Sequence, residues 1–401
     1  MSQHTAISAA SLQPEQWTSS ANEVVKLFVT DSEGAINFSP TFTYPIFGDA
    51  ETIYGYKDLV IFLCFDHFTF KPFFNVKYSE KLDDPDIVDV EQLLRKFLPD
   101  SAIFKDEAKW VDSIKQEKEA GYSIPGDLID SFDNEGSEYE IYKINVKDSA
   151  GLELHKRLQI LVLLFIEAGS YIDTSDELWD LYVVYDKDSS SIVGFATAYN
   201  YWKYPGANKF DDNKREIRKK ISQFIILPIY QGKRLGGQFY SRLFDVWHKD
   251  DEVVEVVVED PNESFDDMRD RADLSRLNKI LDLSIVTPKV ETSWIEETRK
   301  QLKLEKRQFS RLLELILLYK LKHTDELTKK DVRLFIKKRL YNKNKEGLSS
   351  MDENTKKDKL QTAYEALEDD YYRILGDLRL SIKRAGDDKQ NNGSGKKAKV
   401  A

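Results

Sequence analysis

The sequence predicts an α/β chain of the α+β kind, a central mixed sheet flanked by helices with a mixed N-terminal α/β domain before it and a helical domain after it. Three observations predict it. Aromatic and β-branched runs separated by turn residues fill the stretch from Ala35 to Tyr78. The middle of the chain reads strand, helix, three strands, a glycine-bearing turn, helix, strand. From about Ser293 apolar residues recur at helical spacing within charged sequence. A length of 401 residues suits two or three packed domains. The boundaries fall at a disordered start over 1–22, an N-terminal α/β domain over 23–135, a central domain over 136–288, a helical domain over 289–382 and a basic disordered tail over 383–401.

In chain order, Ala35 to Tyr44, Leu59 to Phe65 and Phe68 to Tyr78 read as strands. Val90, Leu93, Leu94 and Phe97 have helical spacing, and Asp89 stands where an N-cap belongs. The central block opens with a strand, Tyr139 to Val146, and a helix from about Ala150 to Ala168 that is apolar on most of its circumference. Leu178 to Tyr185 and Ile192 to Trp202 are joined by Asp186-Lys187-Asp188-Ser189-Ser190 as a hairpin. Ile221 to Leu227 is a further strand, followed by a helix from Leu235 to Lys249 and an apolar strand from Val253 to Val258. In the last part Phe309, Leu312, Leu313, Ile316 and Leu317 make one apolar stripe. Helices are also expected over Lys329 to Tyr341 and Thr355 to Ile374, the latter with Leu360, Tyr364, Leu367 and Tyr371 on one face. Lys383-Arg384 and Lys396-Lys397-Ala398-Lys399, on either side of a polar spacer, have the pattern of a bipartite nuclear import signal and equally that of a solvated basic tail.

Composition narrows the function classes. Seventy Asp and Glu against 59 Lys and Arg give a formal charge of −11, which repels a phosphate backbone and attracts a cationic partner. A basic peptide fits better than DNA. The single cysteine, Cys64, lies in an apolar run, so there is neither a disulfide framework nor a cysteine zinc site, and a reducing compartment is expected. No window has the length and apolarity to cross a bilayer.

The segment with the most chemistry runs from Gln223 to Gly237. A strand ends at Phe224-Ile225-Ile226, a loop of Gln231-Gly232-Lys233-Arg234 follows, and a helix opens at Leu235-Gly236-Gly237. Unpaired N–H groups and the positive end of the helix dipole favour a diphosphate at such a turn, and glycine lets the backbone approach it. Taken alone, the same turn serves as an ordinary connection as often as it does a phosphate loop.

The neighbouring residues add a resemblance. Gln231-x-x-Arg234-x-Gly236 resembles the pyrophosphate loop of the GNAT acetyltransferase superfamily, and Val257-Val258-Glu259-Asp260-Pro261-Asn262-Glu263 resembles the signature of type B histone acetyltransferase catalytic subunits. Thr43 to Gly48, Ile53 to Lys57, Ser170 to Asp173, Glu177 to Trp179 and Gly194 to Tyr201 look like the same family, so the likeness spans about residues 40 to 320. One position departs from it: Arg234 stands where the family's loop normally has glycine. If φ is positive there, the side chain costs about 1 kcal/mol. If φ is negative, the guanidinium can reach a phosphate.

The resemblance implies a GNAT-type central sheet and direct transfer of acetyl from acetyl-CoA to a lysine ε-amine, with no metal. The chemical obstacle is that the ε-ammonium, with a pKa near ~10.4, must lose its proton before it can attack a thioester. A carboxylate in a partly desolvated cleft can take that proton. The resemblance gives the role to Glu259, at the end of the last core strand, with Asp260 as a supporting carboxylate and Glu177 as a third candidate. Phe224, Ile225, Ile226 and Gln231, Gly232, Lys233, Arg234, Leu235, Gly236, Gly237 are expected to form the acetyl-CoA site, with Asn262 and Arg271 as further CoA contacts. Asp49, Glu51, Tyr199, Tyr201 and Trp202 would suit a Lys/Arg-rich peptide, because carboxylates and ring faces both attract cations. Ordinary packing at a sheet edge explains those five equally well.

The implied substrate is the N-terminal tail of free, newly made histone H4, with histone H3 as the dimer partner of H4. The implied accessory partner is a WD-repeat histone-binding subunit, with no direct DNA binding, no membrane, and residence in cytoplasm and nucleus. Two other readings stay open at this point: a GNAT-fold acetyltransferase of another amine, such as a protein N-terminus or a polyamine, and a non-catalytic histone-binding scaffold.

Overall fold

The computed structural model describes residues 14–31, 34–207 and 215–382. The expected basic tail lies outside them, as does the start of the chain to residue 13. The described residues fall into two compact units, those within Met1–Trp202 and Lys219–Phe239, and those within Lys203–Arg218 and Tyr240–Ala401.

The first unit begins earlier than expected. Strand β1 (Thr18–Ser20) and helix α1 (Ala21–Val24) stand where the end of a disordered start was expected, because β1 has a partner and Ala21 is fully buried. Strand β2 (Val25–Thr30) alternates inward Val25, Leu27 and Val29 with half-buried neighbours, the period of two that a pleated strand imposes. It is followed by β3 (Ala35–Phe38), which is shorter than the expected Ala35 to Tyr44 run. The difference is due to proline: Pro40 has no N–H for a ladder, and Pro45 starts helix α2 (Tyr44–Phe47). Strands β4 (Thr52–Tyr54), which pairs with β1, β5 (Tyr56–Lys57), β6 (Val60–Asp66), β7 (Pro72–Lys77) and β8 (Glu80–Lys81) come next. Helix α3 (Val90–Arg95) has the expected cap, Asp89 accepting from the Gln92 N–H. Strand β9 (Ile103–Phe104) completes a sheet ordered β3-β2-β6-β7-β9. Helix α4 (Glu107–Glu119), which the apolar pattern did not reveal, has a mostly polar sequence and buries only Trp110 and Ile114.

Strands β10 (Asp127–Asn134) and β11 (Ser137–Ile144) form a hairpin whose turn places Glu135 and Gly136 at φ 56° and 89°. The expected single helix is two, α5 (Ser149–Leu158) and α6 (Ile160–Phe165), separated at Gln159. Ile160, Leu161, Val162, Leu163 and Leu164 are all buried in α6, each contributing about 1.5–3 kcal/mol from removal of apolar surface. Strands β12 (Trp179–Asp186) and β13 (Ser191–Trp202) are the expected hairpin, and β14 (Ile217–Ile226) extends the expected strand at its start. The strands β10-β11-β12-β13-β14 are neighbours in that order. One continuous core runs through this unit, from Ala21 and Leu27 through Phe65 and Leu161 to Phe195 and Leu227.

Helix α7 (Leu235–Lys249) and strand β15 (Val253–Val258) occupy the predicted ranges. In the second unit, Glu255 of β15 is buried yet held by Arg218 at 2.7 Å and Arg299 at 2.9 Å. Helices α8 (Glu263–Ile280), α9 (Thr292–Gln301), α10 (Lys306–His323), α11 (Lys329–Lys343), α12 (Lys345–Ser349) and α13 (Glu353–Leu375) follow. The predicted stripe on α10 is buried, and so are Glu314, Leu315 and Leu318, so the helix is enclosed on its full circumference rather than along one face. Helices α8, α11 and α13 pack around it. The buried Glu314 carboxylate is matched by the Arg339 guanidinium at 2.6 and 2.8 Å and by the Tyr371 hydroxyl, which donates at 2.9 Å. Burial pushes its pKa up against the pull of Arg339.

Candidate active site

The candidate residues occur in both units and each set is built from its own strand ends. In the first unit, Ile225 and Ile226 are buried at the end of β14, and Phe224 packs its ring on Phe239 at 5.2 Å. Leu227 donates its N–H to the Val193 carbonyl at 2.9 Å, tying the strand end to β13. Opposite, a Cβ on Gly194 would lie 2.3 Å from the Ile225 carbonyl oxygen, so only glycine allows the two backbones to come this close.

A single 3-10 turn, Pro228–Tyr230, then leads into the loop. Gln231, Gly232, Lys233 and Arg234 are exposed, while Leu235 is buried and anchors the first turn of α7. The backbone N–H groups of Gly232, Lys233, Arg234, Leu235 and Gly236 have no acceptor among the described residues. Five unspent donors at the positive end of a fifteen-residue helix, beside two cations, suit a diphosphate. The Gln231 side chain is spent locally, donating Nε2 to the Ile226 carbonyl at 2.8 Å, and Asn134 braces the loop by donating to the Lys233 carbonyl at 3.1 Å. Arg234 has φ +62° and Gly232 has φ +79°, so the positive-φ alternative holds at the position where the family has glycine.

The hairpin of β12 and β13 carries the aromatic candidates. Trp179 and Tyr199 meet edge to face at 4.9 Å, and Tyr199 meets Tyr201 at 4.7 Å. Tyr201 and Trp202 are 44% and 56% exposed. Glu177 is exposed in the turn before β12. Its neighbour Asp176, which the motif reading passed over, accepts from the Tyr199 hydroxyl at 2.8 Å and from the Leu178 N–H at 2.9 Å. That bond raises the Tyr199 pKa. The missed signal was Asp176 itself, a short acid directly before a strand, the residue type that satisfies local N–H groups.

Asp49 is exposed in the turn after α2, but Glu51 has a different job from the one expected. Its carboxylate accepts from the Thr43 N–H at 2.6 Å, the Tyr44 N–H at 3.0 Å and the Asn22 amide at 2.8 Å. The Thr43 N–H above all, outweighing desolvation with help from Asn22 and Tyr44, lowers its pKa. Glu51 thus closes the start of α2 rather than presenting a free charge to a peptide.

In the second unit, Glu259 is exposed at the bend that leaves β15. Asp260 follows, also exposed, with φ +36°. The chain turns at Pro261, and Asn262 caps α8, its side-chain oxygen accepting from the Phe265 N–H at 2.9 Å. The local sequence explains the sharp exit: a strand, a residue in the left-handed region, a proline and a cap fix the backbone that bears Glu259. Arg271, on the exposed side of α8, donates to the Arg373 carbonyl at 3.2 Å.

Comparison with known proteins agrees with the motifs. The family model described as the histone acetyl transferase HAT1 N-terminus matches residues 17–167, and the model described as fungal HAT1, C-terminal, matches residues 270–322. A histone acetyltransferase type B catalytic subunit of Candida albicans is 69% identical over 98% of this chain and 97% of its own. Proteins of the same description from Debaryomyces hansenii and Kluyveromyces lactis are 61% and 47% identical, over 98% and 95% of this chain and 98% and 97% of theirs.

Proposed function

Because the chain belongs to the family of histone acetyltransferase type B catalytic subunits, we propose that it transfers acetyl from acetyl-CoA to lysine ε-amines in the N-terminal tail of free, newly made histone H4. The observation that carries the cofactor part is the run of unspent N–H groups from Gly232 to Gly236. These donors, with the positive charge of Lys233, hold the diphosphate, and the backbone of Phe224-Ile225-Ile226 donates to the thioester oxygen. Acetyl-CoA supplies the activated acyl group.

Glu259 acts as the base. Its carboxylate takes one proton from the lysine ammonium, and the freed amine forms a bond to the thioester carbon. The carbon–sulfur bond breaks as the nitrogen gives up its second proton, CoA leaves as a thiolate that takes up one proton to become the free thiol, and Glu259 returns its proton to solvent. Since Glu259 is exposed at its bend, the desolvation that raises a carboxylate toward the working pH arrives with the substrates. Glu177 and Asp260 add negative charge that draws in a cationic tail, and the exposed rings of Tyr201 and Trp202 offer faces to its lysines and arginines. The histone arrives as H4 paired with H3, a WD-repeat histone-binding subunit assists, and the enzyme works in both cytoplasm and nucleus.

The test is acetyl transfer to an H4 tail peptide, wild type beside Glu259→Gln. Turnover should fall by a factor on the order of 10² to 10⁴ with acetyl-CoA affinity unchanged. Equal turnover removes Glu259 from the role. A panel that includes polyamines and peptide N-termini decides the substrate: exclusive use of a small amine defeats the histone reading.

A further inference from the structure

The chain carries a formal charge of −11, yet residues 329–359 hold eleven Lys and Arg against five Asp and Glu, a surplus of six positive charges. This stretch spans α11, α12 and the start of α13. The same elements line a groove of 690 Å³. Lys343, Lys345 and Lys359 stand on its rim, all exposed and with no acidic partner among the described residues, while Glu346 is the one acid there. Its floor is apolar, formed with Leu348, Met351 and Leu360.

We propose that this groove is a docking site for an acidic peptide segment of a partner protein, one whose carboxylates meet the three lysines while its apolar side chains enter the floor. Charge complementarity selects the occupant. A basic histone tail is repelled by the rim. The chain's own termini do not fit either: residues 1–13 contain no acid, and residues 383–401 hold six Lys and Arg against two Asp. A nucleic acid would use the lysines but leave the apolar floor unfilled, since phosphate binding is carried by charge and recognition there is polar. An acidic segment with interspersed leucine or phenylalanine uses both features. None of the groove residues has a part in acetyl transfer, so the inference stands apart from the reading of Glu259.

The experiment titrates the full chain into a fluorescein-labelled peptide of repeating Glu-Glu-Leu-Asp-Glu-Phe and follows anisotropy at physiological salt. Saturable binding is expected. It should weaken about tenfold or more in K343E/K345E/K359E, and about as much when the peptide's Leu and Phe are replaced by Ser. Circular dichroism and H4 peptide acetylation of the triple variant should match wild type, as these lysines are exposed. Absence of saturable binding, equal binding by the triple variant, equal binding of the serine peptide, or tighter binding of a short DNA duplex would each overturn the proposal.

Discussion

At the scale of single residues, Arg234 is the position where the sequence posed a question that backbone geometry answers. With φ +62°, its Cβ crowds the following carbonyl, a cost of about 1 kcal/mol that glycine does not incur. Arg234→Gly should therefore raise stability by up to about 1 kcal/mol, read from urea unfolding. Acetyl-CoA affinity measured by calorimetry should hold, because the loop's N–H groups remain. A loss of affinity on removing the guanidinium would instead assign it a phosphate. Glu51 teaches the opposite lesson. Its charge was legible in the sequence, but whether that charge faces solvent or the start of α2 depends on Thr43 and Tyr44 folding back eight and seven residues away.

At the scale of elements, the contact between β13 and β14 depends on one missing side chain. A Cβ at Gly194 would meet the Ile225 oxygen at 2.3 Å and the Ile226 Cα at 3.0 Å, both on β14, the strand whose end begins the cofactor loop. Gly194→Ala is expected to cost about 2 kcal/mol by forcing the strands apart, and to weaken acetyl-CoA binding with it. Unfolding and calorimetric titration of the variant check both, and a variant as stable as wild type would show that the strands have slack. Periodicity located β12, β13, α7 and β15 well, because each buries a regular set of side chains. It failed for α4, whose sequence is mostly polar and which buries Trp110 and Ile114 alone, and for the end of β3, where Pro40 and Pro45 end the ladder despite aromatic neighbours.

At the scale of the whole molecule, stability should depend on pH through groups that are not among the candidate site residues. His155 is buried in α5 with neither ring nitrogen hydrogen-bonded among the described residues, and burial lowers its pKa to about 4. The unfolded chain, with an ordinary histidine near 6.5, binds a proton first, so this contribution is complete above about pH 7 and is lost as pH falls toward about 4. Asp180 acts in the same direction at lower pH: burial raises it, but Lys219, with Asn200 and Lys143, outweighs that and holds it at about 2. Between pH 7 and pH 5 wild type should lose about 2 kcal/mol more than His155→Leu in urea unfolding, and equal losses would refute the assignment. The sequence by itself determined the succession of strands and helices, the glycine-bearing loop, the run from Val257 to Asn262 and hence the family, because these are local patterns of residue type. Only the tertiary structure decided that the N-terminal sheet and the strands through β14 share one core, that α10 is enclosed on all sides, that Arg234 has positive φ, and that Glu51 is spent while Asp176 holds Tyr199. Those outcomes depend on which distant backbone N–H, hydroxyl or apolar surface meets each side chain, and such meetings leave no periodic trace along the chain.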